Sequence, residues 1–249
     1  MPASIPADLP RFTSLLFGLT GDLVDFGART LPLALQRSCP DCPQERLAEA
    51  VALPPQEALA HLLGHAPSAE ETERFRHRLV EAANDHAEPI AEALPALHTL
   101  SRQGVPCAWL EELPNPASQR LAAALNGALG NGIAHAGRPW PAPDACWQAL
   151  MELGTPQLDG CVLVSSQPRL LQAGLNAGLW TIGLAASGPL CGLSARDWQA
   201  LEGNRRDLLR SQATLGLYRL GVHSVIDHLG ELDSCLLDIA SRRAKGEKP

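Results

Sequence analysis

The chain has 249 residues, 45% of them hydrophobic, and a formal charge of -7 at a pI near 5.6. Such a chain can bury a sizeable core and suits one core domain carrying an insertion. With no basic stripe and only 4% aromatic residues it is not expected to bind nucleic acid. No apolar run reaches the roughly 20 residues of a membrane span. Met1 to Arg11 lacks the charged start and long apolar run of a secretion signal, so a cytoplasmic location is expected.

Seven cysteines, an odd number, are scattered along the chain, which favours buried thiols over a disulfide framework. Cys39-Pro-Asp-Cys42 has no second pair at zinc spacing and reads as a helix-ending turn. Lysine occurs only at Lys245 and Lys248, so chemistry that needs a buried lysine has no residue in the body of the chain.

In chain order, Ser14 to Phe17 is a short apolar run broken by Gly18, the pattern of a buried strand opening into a turn. Phe26 to Gln36 reads as a helix. From there to about Pro95 only helical spacing appears, in Glu45 to Leu53, Gln56 to Leu63 and Ser68 to His86, the last opened by a Ser68/Glu71 capping box. The α/β pattern resumes with a helix over 94–104, a strand over 105–110 and a helix over 116–129. A minimal strand at Ile133 to His135 follows. A proline-rich loop, Gly137-Arg-Pro-Trp-Pro, delivers a helix that ends at Gly154. The strands at 161–164, 180–184 and 222–225 are separated by a helix over 170–177 and one long helix over Ser194 to Tyr218, and a closing helix spans 230–243. Strands alternating with helices predict an α/β fold, a Rossmann-like parallel sheet covered on both faces.

Several of these segments carry a resemblance. Phe17-Gly-Leu-Thr-Gly-Asp-Leu-Val-Asp-Phe-Gly27 resembles the first motif of the haloacid dehalogenase superfamily, most closely that of the phosphonoacetaldehyde hydrolases, Phe-Asp-x-Ala-Gly-Thr-x-Val-Asp-Tyr/Phe-Gly. Gly137-Arg-Pro-Trp-Pro, Met151-Glu-Leu-Gly154, Asn176-Ala-Gly-Leu-Trp-Thr-Ile-Gly183 and Gly221-Val-His-Ser-Val225 are similar to later segments of the same family. The resemblance implies a core made of residues 1–28 and 95–249 and an inserted helical cap over 29–94. It also implies a hydrolase that attacks phosphorus with a carboxylate and holds Mg²⁺ between that carboxylate and a second one.

The residues at the implied positions depart from that chemistry. The nucleophile falls on Gly18, with Thr20 two residues on. Between Leu9 and Gly21 there is no Asp or Glu, so no shift of register supplies one. The strand end that should offer hydroxyl donors to a phosphate carries Trp109, Leu110 and Glu111. The loop that should hold the metal carboxylates reads Ser165-Ser-Gln-Pro-Arg-Leu170, with Ser166 and Leu170 in their places and no Asp or Glu from Gly160 to Arg196. The implied imine-forming lysine of the cap falls on Ala58, while the histidine three residues later is kept as His61. Mg²⁺ is therefore expected to be lost, with no other cofactor and no metal site.

What survives is Arg138, placed either to bind an anion or to pair with Asp22, Asp25 or Glu111. His61 reads more readily as a packed or surface residue, and Asp22 and Asp25 as capping and core hydrogen-bonding groups. Three functional expectations follow. The first is a pseudoenzyme that binds a protein or a small anionic ligand. The second is a hydrolase with rebuilt chemistry using Asp22 or Asp25, His61 and Arg138, and the third a module that forms a homodimer through its cap.

Overall fold

The computed structural model describes residues 9–134 and 137–249. Six strands, β1 (Ser14–Gly18), β2 (Cys107–Glu111), β3 (Gly132–Ala134), β4 (Cys161–Ser165), β5 (Trp180–Leu184) and β6 (Ser224–Ile226), form one sheet in the order β3-β2-β1-β4-β5-β6. Every neighbouring pair is parallel. Parallel strands need crossovers and bury both faces, which is why β1, β4 and β5 are buried at every residue. Alternation then divides the core: Leu15, Phe17, Trp109, Val162 and Val164 lie on one face, and Leu16, Leu110, Ile133 and Leu163 on the other.

Helices α1 (Thr30–Ser38), α2 (Gln44–Ala50), α3 (Pro55–Leu63) and α4 (Ala69–His86) fall between β1 and β2 and pack on one another, α1 most extensively on α4. Ser68 caps α4 by accepting from the Glu71 amide, and the Glu71 carboxylate accepts from the Ser68 amide, as the capping box predicts. The first helix begins at Thr30, four residues later than its apolar spacing suggested. Asp25 and Ala28 adopt positive φ, and the Asp25 carboxylate accepts from the amides of Arg29 at 2.9 Å and Thr30 at 2.8 Å, so the turn is closed before the helix opens.

The core continues through α5 (Ala93–Arg102), α6 (Asn115–Ala122), α7 (Asp144–Glu152), α8 (Pro168–Asn176), α9 (Ala195–Ala200), α10 (Gly203–Arg219) and α11 (Leu232–Ala244). The expected helix over 116–129 stops early, in a 3₁₀ turn over Ala123–Leu125, because Asn126 and Gly127 are both left-handed. The single helix expected over Ser194 to Tyr218 is two, since Leu201 and Glu202 are extended and Gly203, a poor helix former, opens the second. The expected third strand is present over Gly132–Ala134, while His135 lies outside the described residues. No helix among the described residues is long and apolar enough to cross a membrane.

Candidate functional site

In open parallel sheets, chemistry gathers at the carboxyl ends of the strands. Here β1 delivers Gly18, and the chain then folds through a tight loop in which the Gly21 amide donates to Val24 O at 2.8 Å and Asp25 O at 3.0 Å. Gly21 has φ +81, and a Cβ there would stand 2.6 Å from Gly188 Cα and 2.9 Å from Ser166 Oγ, so only glycine lets these loops meet.

The loop turns the Asp22 side chain back over the end of β1. Its carboxyl is fully buried: Ser165 Oγ donates to Oδ2 at 2.6 Å and the Ser166 amide to Oδ1 at 2.5 Å. Burial outweighs these hydrogen bonds and pushes the Asp22 pKa from 3.8 up to about 7. A Cβ on residue 18 would lie 1.8 Å from Asp22 Oδ2 and 2.8 Å from Ser165 Oγ. The place a side chain at Gly18 would occupy is filled by the Asp22 carboxyl. In the motif quoted above, Asp22 stands at the threonine, four residues after the nucleophile position.

Ser166 is equally committed, its amide to Asp22 and its hydroxyl to Gly21 O at 3.3 Å, and Leu170 is sealed in the core under α8. Gln167 extends the network: its amide N–H donates to Ser165 Oγ at 3.0 Å, and its side-chain nitrogen donates to Thr20 O at 3.1 Å and Thr20 Oγ1 at 3.0 Å. Thr20 in turn donates to Glu111 Oε2 from its amide at 3.1 Å and its hydroxyl at 2.6 Å. The other Glu111 oxygen accepts from the amides of Glu112 at 2.8 Å and Leu113 at 3.3 Å. Burial raises the Glu111 pKa against these bonds. Trp109 and Leu110 point to opposite core faces, so Glu111 alone of the three turns toward the strand end.

The sequence-predicted residues divide. Asp22, Thr20, Glu111 and Ser166 come together with Gly18. Asp25 stands apart at the start of α1, where its carboxylate caps the helix and also accepts from Thr30 Oγ1 at 2.7 Å. Ala58 is buried within α3, and His61 pairs with Glu49 at 3.2 Å on the outside of the helical layer. Arg138 pairs with none of the three carboxylates expected for it. It is 73% exposed and forks onto Asp144 at the first residue of α7, at 3.0 Å from Nε and 2.7 Å from Nη2. Those bonds hold the Asp144 carboxyl down at about 2. The reason is local: Gly137 turns the loop so that the Arg138 amide also donates to Asp144 at 2.9 Å.

The cation at the strand ends is Arg169, which sequence reasoning passed over. It meets Glu112 at 2.6 Å and 3.2 Å and donates to Trp140 O, while the Trp140 amide donates to Glu112 at 2.6 Å. Its signal in the sequence is the segment Ser165-Ser-Gln-Pro-Arg-Leu170 itself, in which Arg169 directly precedes one of the positions that lack a carboxylate. Above Thr20, Glu111, Glu112, Gln167 and Arg169 lies a cavity of about 380 Å³, roofed by apolar residues of α1 and of the stretch from α2 to α3. Among the described residues no group of three or more His, Cys, Asp or Glu is placed to hold a metal ion.

No family model matches the chain. It is 28% identical to the phosphonoacetaldehyde hydrolase of Bordetella pertussis over 279 aligned positions that span 100% of both chains. Its fold matches the crystal structure of a phosphonoacetaldehyde hydrolase like protein from Oleispira antarctica at TM-score 0.86, with 23% identity over 100% of this chain and 99% of that one. A haloacid dehalogenase family hydrolase from Deinococcus radiodurans, solved with bound phosphate and sodium, matches at TM-score 0.57 and 22% identity over 92% and 96% of the two chains. The sheet order, the inserted helices and the full-length similarity agree: the chain has the fold of haloacid dehalogenase-type hydrolase structures and is similar over its whole length to phosphonoacetaldehyde hydrolases.

Proposed function

We propose that this chain is a non-catalytic member of its family, a pseudoenzyme whose core and cap serve to bind rather than to hydrolyse. The observation that carries this reading is the Asp22 carboxyl seated against Gly18 and tied to Ser165 and Ser166. A nucleophilic carboxylate must reach phosphorus from an open strand end. Asp22 is buried, engaged by both of its oxygens and half protonated near pH 7.

The residues present do not fit Mg²⁺. That ion wants several oxygen ligands in near-octahedral geometry, usually with one or two carboxylates. Both Asp22 oxygens already accept hydrogen bonds, Glu111 is enclosed by Thr20 and two backbone amides, and Leu170 offers no ligand. The rebuilt-hydrolase reading gains no support, because Asp25, His61 and Arg138 are each engaged elsewhere. A cytoplasmic location, resting on the absence of a secretion pattern, and pairing of two copies through the 29–94 cap, resting on the family resemblance, remain part of the proposal.

The test is turnover. Purified protein with Mg²⁺ should release no phosphate from phosphonoacetaldehyde or from simple phosphate esters above a protein-free control. Release that scales with protein and is lost on Asp22→Asn would overturn the reading.

A further inference from the structure

The cavity beneath the helical layer has a definable chemistry. Two carboxylates and one guanidinium line it, and the guanidinium is paired with one of the carboxylates. Glu111 accepts four hydrogen bonds, from Thr20 N and Oγ1 and from the amides of Glu112 and Leu113. Arg169 is committed to Glu112 and Trp140 O. A phosphate, phosphonate or carboxylate would therefore meet net negative charge, and even with Glu111 protonated it would find no uncommitted cation.

Two lining side chains keep an open valence. Gln167 gives its nitrogen to Thr20 O, which can only accept, so the amide orientation is fixed and Oε1 is left as an acceptor with no partner among the described residues. Arg169 uses Nη1 and Nη2, leaving Nε as a donor with no partner among the described residues. The rest of the wall is apolar, with Leu31, Val51, Leu53, Leu113 and Leu190 around the buried Trp140. At about 380 Å³ the space falls within the usual range for small-molecule sites.

We infer that this cavity takes an uncharged, largely apolar small molecule whose head both donates and accepts a hydrogen bond, such as a hydroxyl or a primary amide. The head would give its proton to Gln167 Oε1 and accept from Arg169 Nε while the apolar body is covered by the α2–α3 stretch. This rests on the non-catalytic reading and replaces the small anionic ligand that the sequence suggested.

The experiment uses the full chain and the neutral fluorophore N-phenyl-1-naphthylamine. The fluorescence rise should saturate, benzamide should compete, and inorganic phosphate and phenylphosphonate should not. Ala48→Trp and Ala52→Trp place an indole at exposed lining positions of the roof without touching the core, and each should weaken probe binding by at least about tenfold at unchanged thermal stability. Saturable binding that neither tryptophan weakens, displacement by phosphate, or no saturable binding in the parent would each overturn the inference. Phosphonoacetaldehyde turnover in the same preparation would sink the non-catalytic reading together with it. Absence of both turnover and probe binding sinks the inference alone.

Discussion

The end of β1 and the cavity beside it share residues and have opposite characters. Around Gly18 the Asp22, Ser165 and Ser166 side chains are each hydrogen-bonded within the protein and fill the space. One step away, past Thr20 and Gln167, the same network opens into a largely apolar space with two groups unmatched among the described residues. Buried polar networks are costly unless complete, so the filled end is rigid and intolerant of additions, whereas the open side can accept new contacts. On the non-catalytic reading, the fold fills the strand end and keeps a pocket next to it.

The sharpest way to break the comparison is to add a side chain to the filled end. Gly18→Asp should cost about 3 kcal/mol or more in urea denaturation, because it forces a second carboxyl against Asp22 in a packed site. Combining it with Asp22→Ala should recover most of that loss; strictly additive costs would mean that Asp22 does not fill the space.

Asp22 also sets a pH dependence. Its folded pKa of about 7 lies above the ordinary 3.8, so its protonated form is favoured by folding. The resulting stability is fully present below about pH 4 and is lost as pH rises through about 7, on the order of 3 kcal/mol across that window. Asp22→Asn keeps the shape and removes the titration. Its unfolding free energy should lose this slope between pH 4 and 7, and an unchanged slope would assign the dependence to other groups.

The open side is held by the Arg169–Glu112 pair, with side chains 26% and 10% exposed. Arg169→Ala should cost about 2 kcal/mol, somewhat less than a fully enclosed pair, by removing the guanidinium paired with the Glu112 carboxylate. Arg138→Ala, which breaks a solvent-exposed pair outside the cavity, should leave the thermal midpoint unchanged. Equal effects at the two arginines would erase the distinction between them.

Much of this was legible in the residues. Apolar runs and helical spacing placed the strands and the inserted helices, and the absence of Asp or Glu around Gly18 and across 160–196 was a register-free observation. The substitution that completes the filled end was less visible. Asp22 looked like a capping residue because its role depends on Gly21 turning it toward β4, a contact 143 residues away in sequence. Arg138 stands out by its motif, but Gly137 and Asp144 form a local loop that needs no distant partner. Arg169 lacked any motif of its own and gains meaning only when β2 and β4 bring Glu112 beside it.

The central claim, that the strand ends no longer form a reaction centre, is tested most directly by titration calorimetry of the parent protein with Mg²⁺ at pH 7.5, with Na⁺ at equal ionic strength as the control. The account predicts no saturable heat, because Asp22 and Glu111 are already engaged. One-to-one binding at micromolar Mg²⁺ that Asp22→Asn abolishes would contradict it.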